Sequence, residues 1–229
     1  MDMIKLLRKV PLFAELNEAE LTSIATLASS IEIAKKNIVV QEFEPGDSMY
    51  VILDGEVKIS TYSIDGREVV LALLGKGSFF GEMSLLDEEP RSATVTTMTD
   101  SKLAHIRRRD LVLLLMERPA ITLKLLKEIT SRLRRTSRIL ERISSMDVPH
   151  RLYAYIVDHC QRFGQPKNDG RYAAVLPTHQ LLADQLSTSR ETISRAISAL
   201  KKDGTLVQGD SRGKVSVDVD ALEERLEDF

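Results

Sequence analysis

The distribution of hydrophobic positions changes character along the chain, and each change predicts a different kind of element. After two short helical patterns, near residues 3–9 and 17–28, short apolar runs alternate with turn signals from residue 31 to residue 107. One such turn is Glu44-Pro45-Gly46-Asp47, and another is Ile64-Asp65-Gly66-Arg67. Short runs separated by turns at intervals of about ten residues predict an antiparallel barrel or sandwich. The clearest strand patterns cover residues 48–53, 57–62 and 68–73.

A long helical pattern follows, from Pro119 to about Met146. Its apolar stripe repeats at alternating spacings of three and four residues, as in a coiled coil. The positions of the stripe are Leu126, Ile129, Leu133, Thr136, Leu140 and Ile143. Fewer than four heptads are present, so a helix packed on its own domain is an alternative, but we favour a parallel coiled-coil dimer. Pro149 disfavours helical geometry in the residue before it, so we expect a hinge at 146–149.

The last third of the chain has the pattern of a small helical domain. We expect a helix from about Pro149 to Phe163, then a loop at 164–170, and a compact helical module after Pro177. In that module Leu182, Ala183 and Leu186 share one helix face, Ser187 and Thr188 form a polar turn, and Ser189 is placed to cap the next helix. Ile193, Ile197 and Leu200 line that second helix at spacings of four and three residues. This spacing is typical of a helix-turn-helix. Two apolar runs, at 206–207 and 215–217, predict a hairpin with a basic tip that forms a wing.

Composition excludes several classes of protein. The chain has 229 residues, of which 43% are hydrophobic and 29% charged, so it contains enough apolar material for two folded domains. No apolar run reaches the length of a membrane span, and the opening residues lack the apolar stretch of a signal peptide, so we expect a cytoplasmic protein without membrane contact. The single cysteine, Cys160, excludes cysteine clusters, and the four histidines have no metal-ligand spacing. We therefore expect no metal.

The net charge of −2 is unevenly distributed. Residues 117–147 carry eight basic and four acidic side chains, and residues 178–214 carry six and four. The final segment, 215–229, holds one arginine against six acidic side chains. An acidic tail therefore masks a mildly basic module, which is compatible with DNA binding.

One constellation in the first domain suits a phosphate. Gly81 begins a short helical segment with free backbone N–H groups, and Arg91 and Ser92 add a guanidinium and a hydroxyl. Glu82 suits a sugar hydroxyl. These residue types are also common in purely structural turns, so the spacing alone leaves both interpretations open.

The segment from Phe79 to Val95 resembles the phosphate-binding cassette of cyclic-nucleotide-binding domains. The whole chain is similar to the cyclic AMP receptor protein and fumarate and nitrate regulator (Crp-Fnr) family of bacterial transcription regulators. This resemblance implies an α+β fold, with an N-terminal antiparallel β-roll at 1–118, a long coiled-coil dimer helix at 119–147, and a C-terminal winged helix-turn-helix at 148–229. It further implies that Arg91 and Ser92 hold the cyclic phosphate, that Gly81 offers its backbone, and that Glu82 takes the ribose 2′-hydroxyl.

The long helix contains a second indication of the ligand. Thr136 occupies a position in the apolar stripe, where a buried hydroxyl needs a hydrogen-bond partner. A bond back to its own helix is the alternative to a ligand contact. The resemblance implies that Thr136 and the partner subunit's Ser137 read the adenine edge, while Arg132 pairs with the cassette glutamate. We therefore expect cyclic AMP as the effector.

The second helix of the helix-turn-helix presents polar side chains opposite its apolar face. Arg190, Glu191, Ser194 and Arg195 lie near its start, where arginine suits guanine and glutamate suits cytosine. A salt-bridged surface helix is the alternative. In the resembled family Arg190, Glu191 and Arg195 match the base-reading set, whereas Ser194 matches the fumarate and nitrate branch. The expected phosphate contacts are Thr178, Ser189, Arg212 and Lys214.

The leading hypothesis is a ligand-gated homodimer that binds a cyclic nucleotide and a double-stranded DNA operator, with RNA polymerase as a further partner. An enzyme is disfavoured, because no Ser/His/Asp arrangement, Walker loop or metal motif is present. A kinase regulatory subunit shares the cassette but has no use for Arg190 and Glu191 on a helix-turn-helix. The same fold sensing cyclic di-GMP, cyclic GMP, haem or no ligand is the closest alternative.

Overall fold

The computed structural model describes residues 3–209 and 214–227. These residues form two compact units, which divide between Leu133 and Arg134. The division falls inside the long helix, so the first half of that helix belongs to the first unit and the second half to the second.

The first unit is built on two four-stranded sheets with antiparallel pairing throughout. Its strands are β1 (Ser29–Ile33), β2 (Ile38–Val40), β3 (Ser48–Asp54), β4 (Glu56–Tyr62), β5 (Glu68–Gly75), β6 (Phe79–Phe80), β7 (Thr94–Thr97) and β8 (Ser101–Arg107). One sheet has the order β1-β8-β3-β6 and the other β2-β7-β4-β5. This confirms the antiparallel N-terminal β domain. The three strands with the clearest sequence pattern are β3, β4 and β5, each within two residues of its expected bounds.

Short helices complete the first unit. They are α1 (Met3–Leu7), a 3₁₀ turn (Pro11–Phe13), α2 (Glu18–Leu27), α3 (Met83–Asp87) and α4 (Arg108–Glu117). Asn17 and Glu20 form a capping box that fixes the start of α2. The fully buried side chains Phe13, Met49 and Leu111 place the core between the first sheet and these helices.

The long helix α5 runs from Pro119 to Ser145 without interruption. Its 27 residues span about 40 Å at 1.5 Å per residue. Ile121 and Leu125 are buried in the first unit. Four residues of the heptad stripe, by contrast, are exposed in the single chain: Leu126, Leu133, Leu140 and Ile143. An exposed row of large apolar side chains of this kind is suited to contact with another protein surface.

After the end of α5, Asp147 in the second unit accepts a hydrogen bond from the backbone N–H of His150 and caps α6 (Val148–Phe163). It continues with β9 (Gln165–Pro166), β10 (Tyr172–Val175), α7 (His179–Gln185), α8 (Arg190–Lys202), β11 (Leu206–Gln208), β12 (Lys214–Val217) and α9 (Val219–Glu227). The sheet order is β11-β12-β10-β9, all antiparallel. Strand β9 falls in the segment expected to be a loop, where a strand of only two residues pairs with β10.

The expected core positions of the helix-turn-helix are buried: Leu182, Ala183, Leu186, Ile193, Ile197 and Leu200. This unit is therefore the predicted C-terminal helix-turn-helix domain. None of the helices in the described part of the chain combines the length and the apolar character that crossing a membrane requires.

Candidate functional site

The turn between β6 and α3 has a backbone that only glycine fits comfortably. Gly81 has a φ of 81°, and a Cβ at this position would lie 2.8 Å from Nη1 of Arg91 and 3.1 Å from the carbonyl oxygen of Ser48. The missing side chain therefore lets the Arg91 guanidinium pack directly on the turn.

Arg91 is buried, with 6% of its surface exposed. Its Nη1 donates to the carbonyl oxygen of Gly81 at 2.8 Å, and its Nη2 donates to that of Ser48 at 2.7 Å. Gly46 covers the other side, where a Cβ would lie 2.4 Å from Nε. No carboxylate of the described residues lies within ion-pairing distance of this guanidinium. Burial lowers the pKa of Arg91, against the opposing influence of Tyr50 and of nearby carboxylates.

Glu82 is the second buried charged side chain, with 4% of its surface exposed. Its Oε1 accepts a hydrogen bond from Nη1 of Arg132 at 3.1 Å. Arg132 also donates from Nη2 to the carbonyl oxygen of Phe79 at 2.8 Å, and its guanidinium lies 4.5 Å from the centre of the Phe79 ring. Burial raises the pKa of Glu82, Arg132 lowers it, and Glu128 raises it again. The expected pairing of Arg132 with the cassette glutamate is thus present.

The remaining cassette residue, Ser92, is exposed and makes one long contact, 3.6 Å from its Oγ to Sδ of Met83. The first unit therefore brings Gly81, Glu82, Arg91, Ser92 and Arg132 to one face of the β domain. The expected adenine contacts, Thr136 and Ser137, lie in the second unit's part of α5, where both are exposed.

The two helices of the helix-turn-helix are each capped by a hydroxyl. Oγ1 of Thr178 accepts from the N–H of Leu181 at the start of α7, and Oγ of Ser189 accepts from the N–H of Thr192 at the start of α8. In the turn between them Ser187 has a φ of 52°, in the left-handed region. The hydroxyl of Thr178 keeps a proton to donate, whereas Oγ of Ser189 also lies 2.9 Å from Oγ1 of Thr192, and either of these two hydroxyls can be the donor.

The proposed reading face lies at the start of α8. Arg190, Glu191 and Arg195 are exposed, and Ser194 is half-buried. Among the described residues no side-chain hydrogen bond or ion pair holds Arg190 or Glu191, and Arg195 makes one long contact, 3.5 Å to Oγ1 of Thr192. The salt bridges of the alternative interpretation are therefore not present at Arg190 and Glu191 in the described part of the chain.

The wing follows α8 as the hairpin of β11 and β12. The N–H of Gly209 donates to the carbonyl oxygen of Lys214 at 2.9 Å, which closes the strands, and the Lys214 side chain is exposed. Arg212, the other basic residue expected at the tip, lies outside the described residues.

Several residues of the site carried no signal in the sequence. Ser48 contributes the carbonyl oxygen that accepts from Arg91, and Gly46 leaves room for the Arg91 side chain. Residue type alone indicates neither contribution. Glu128 could have been found from its spacing, because it lies four residues before Arg132 on α5. In the structure its Oε1 accepts from Nε of Arg132 at 3.1 Å. In the described part of the chain, no three His, Cys, Asp or Glu side chains gather as ligands for a metal ion.

Two family models match the chain. The model of the cyclic nucleotide-binding domain matches residues 30–118, and that of the Crp-like helix-turn-helix domain matches residues 150–225. The first match includes all cassette residues named above, and the second includes the capped helices and the wing.

Two proteins and one solved structure illustrate what the chain is similar to. A CRP-like cAMP-activated global transcriptional regulator from Mycobacterium tuberculosis is 30% identical over 195 residues, 85% of this chain and 87% of that protein. A cyclic AMP receptor protein from Thermus thermophilus is 34% identical over 181 residues, 79% of this chain and 80% of that protein. The structure of the c-di-GMP responsive global regulator CLP from Xanthomonas campestris matches with a TM-score of 0.72 and 25% identity, over 88% of this chain and 98% of that chain.

Proposed function

The chain belongs to the Crp-Fnr family of bacterial transcription regulators, and on that premise we propose that it is a homodimer that binds cyclic AMP. Binding of cyclic AMP then changes its affinity for a palindromic DNA operator. The proposal has three parts, which concern the phosphate, the nucleoside and the DNA. We further propose that the protein contacts RNA polymerase and that it is located in the cytoplasm.

One observation carries the effector site: Arg91 is a buried cation whose charge no described carboxylate pairs with. Burying an uncompensated charge is costly, and backbone carbonyl groups offset that cost only in part. A cyclic phosphate carries one negative charge and would supply the missing partner. Two of the five guanidinium N–H groups are directed at carbonyl oxygens, which leaves three to bind an anion.

Glu82 supports a ribose next to that phosphate. Its Oε1 is held by Arg132, and a carboxylate has about four acceptor sites, so it retains capacity for a sugar hydroxyl. The two buried groups therefore offer one cation for the phosphate and one carboxylate for the ribose, because Glu82 follows Gly81, whose carbonyl oxygen accepts from Arg91.

The adenine assignment rests on Thr136 and the partner subunit's Ser137. Both hydroxyl types match the family's adenine contacts, and two relatives named for cyclic AMP align over most of the chain. The similarity to a c-di-GMP responsive regulator favours cyclic di-GMP as the second candidate. The exposed apolar row on α5 supports a dimer in which the helices of two subunits lie side by side.

The DNA part rests on α8 and on the wing. We propose that Arg190, Glu191 and Arg195 contact bases in the major groove, with Ser194 at the edge of this surface. Thr178, Ser189, Arg212 and Lys214 would contact phosphates, which position the domain without reading sequence.

Isothermal titration of the purified protein with cyclic AMP, cyclic GMP and cyclic di-GMP tests the effector. We expect cyclic AMP to bind most tightly, and to be recovered unchanged after prolonged incubation. Stronger binding of cyclic di-GMP would transfer the site to that ligand, and turnover of cyclic AMP would indicate an enzyme. Binding of an operator duplex, measured by fluorescence anisotropy, should tighten with cyclic AMP, and by linkage the operator should tighten cyclic AMP binding by the same factor.

A further inference from the structure

We propose that Arg108 is a positioning residue that clamps the cassette helix α3 onto the start of α4, and that this clamp sets the affinity for the cyclic phosphate. The inference rests on the proposed function for its ligand, and on the contacts of Arg108 for its geometry. Arg108 lies outside the cassette in sequence, 16 residues after Ser92.

Arg108 reaches the far end of α3 with its side chain. Its Nε donates to the carbonyl oxygen of Leu85 at 3.0 Å, and its Nη2 forms an ion pair with Glu88. Leu85 is buried, so its carbonyl group has limited access to water. A helix of five residues leaves most of its carbonyl groups without donors inside the helix. Arg108 provides a donor from outside to one of these groups.

Glu88 follows α3 with a φ of 64°, in the left-handed region that disfavours residues with a Cβ. Such a conformation is unfavourable for a residue with a side chain and persists where surrounding contacts fix it. The ion pair with Arg108 is one of those contacts. The helix end and the strained residue are thus both tied to one guanidinium.

The backbone of Arg108 is tied to the same stretch that holds Arg91. Its N–H donates to the carbonyl oxygen of Asp47 at 2.7 Å, while the next carbonyl, that of Ser48, accepts from Arg91. Asp47 and Ser48 therefore connect the phosphate-binding arginine to the clamp. A shift of Arg91 towards a ligand would move the carbonyl group of Ser48 and, through the neighbouring carbonyl group of Asp47, the backbone N–H of Arg108.

This geometry makes a loss of Arg108 specific to the cassette. Without the clamp, α3 loses its outer anchor while both sheets keep their pairing, so the turn at Gly81 and Glu82 should loosen. The neighbouring Arg109 provides a matched control, because its side chain is exposed and pairs with Asp110 instead.

The test compares Arg108→Ala and Arg108→Lys with Arg109→Ala in the full-length protein. Hydrogen exchange of the ligand-free protein reports on residues 83–87, and isothermal titration reports on cyclic AMP and on its two phosphorothioate diastereomers, which differ in the phosphate oxygen replaced by sulfur. For Arg108→Ala we expect faster exchange in α3, cyclic AMP affinity reduced about tenfold, and a ratio of the two diastereomer affinities closer to one. Arg108→Lys should restore part of each loss, and Arg109→Ala should resemble the wild type.

Two results would overturn the clamp. One is an Arg108→Ala variant indistinguishable from Arg109→Ala in exchange or in affinity. The other is a variant with a lower melting temperature whose two diastereomer affinities fall equally, since that pattern indicates a role in stability alone. If the wild type binds no cyclic AMP, the proposed effector is wrong, and the exchange of α3 still decides whether Arg108 clamps it.

Discussion

Replacing Arg91 by glutamine removes the one cationic side chain between Phe79 and Val95 while keeping a polar side chain at this buried position. Alanine is less informative, because it would leave the carbonyl groups of both Gly81 and Ser48 without their donor. Glutamine has two N–H donors and can still satisfy one of these carbonyl groups.

The two expected effects of Arg91→Gln differ in size. Without ligand, one lost hydrogen bond costs about 1–3 kcal/mol, and removing a buried, unpaired charge returns a free energy of similar order. The melting temperature should therefore stay within about 5 °C of the wild type. With ligand, the phosphate loses its charged donor, worth roughly 1.5–3 kcal/mol, so cyclic AMP affinity should fall by about tenfold to about 150-fold.

Isothermal titration and thermal unfolding of the same preparations separate these effects. Arg67→Gln is a suitable control, because Arg67 is an exposed arginine paired with Asp65 on the hairpin between β4 and β5. An Arg91→Gln protein that binds cyclic AMP as tightly as the wild type would refute the role assigned to this cation. A protein that no longer folds would show instead that the two carbonyl bonds are essential, and Arg91→Lys would then be used to test the charge alone.

Three further predictions concern the ribose, the dimer and the DNA. Burial raises the pKa of Glu82 above its ordinary value of 4.5, so the stability that its protonated form contributes is complete below pH 4.5 and is lost as the pH rises through the folded value. Glu82→Gln should therefore gain melting temperature relative to the wild type as the pH rises above 4.5, and a difference that stays constant with pH would contradict this. Thr136→Leu should preserve the dimer and weaken the response to cyclic AMP, as measured by sedimentation and DNA binding; a monomeric wild type would remove the basis for this. Arg190→Ala should lose roughly 1–3 kcal/mol at one guanine per half-site, whereas Lys214→Ala should weaken all operators equally and flatten the salt dependence, a difference that competition with single-base operator variants at fixed salt detects.

Periodic patterns predicted the elements well where many residues share one environment. The strands β3 to β5, the helix α5 and the helix-turn-helix all repeat a single rule over several turns or alternations, so single exceptions such as Thr136 do not hide them. Strand β9 was missed because it has two exposed residues, one of them Pro166, and exists only through its pairing with β10. Such a strand has no period to detect.

The sequence indicated the charged side chains that the structure brings together in the cassette, but not the residues that support them. Glu82, Arg91 and Arg132 have side-chain types that indicate their chemistry. Arg108 acts on a carbonyl oxygen 23 residues earlier in the chain, and the backbone groups of Asp47 and Ser48 contribute without their side chains. Contacts of this kind are a property of the fold, so no residue type announces them.

The single unpaired charge of Arg91 has a consequence for how a signal would end. A cyclic phosphate is a monoanion and balances this guanidinium, while Glu82 is already matched by Arg132. Opening the phosphate ring yields a monoester with a charge of about −1.5 to −2 at pH 7, and the excess negative charge would lie in a buried pocket beside a carboxylate. At the proposed effector site, this charge balance would therefore disfavour the hydrolysed nucleotide relative to the cyclic one, even though the base and the sugar are unchanged.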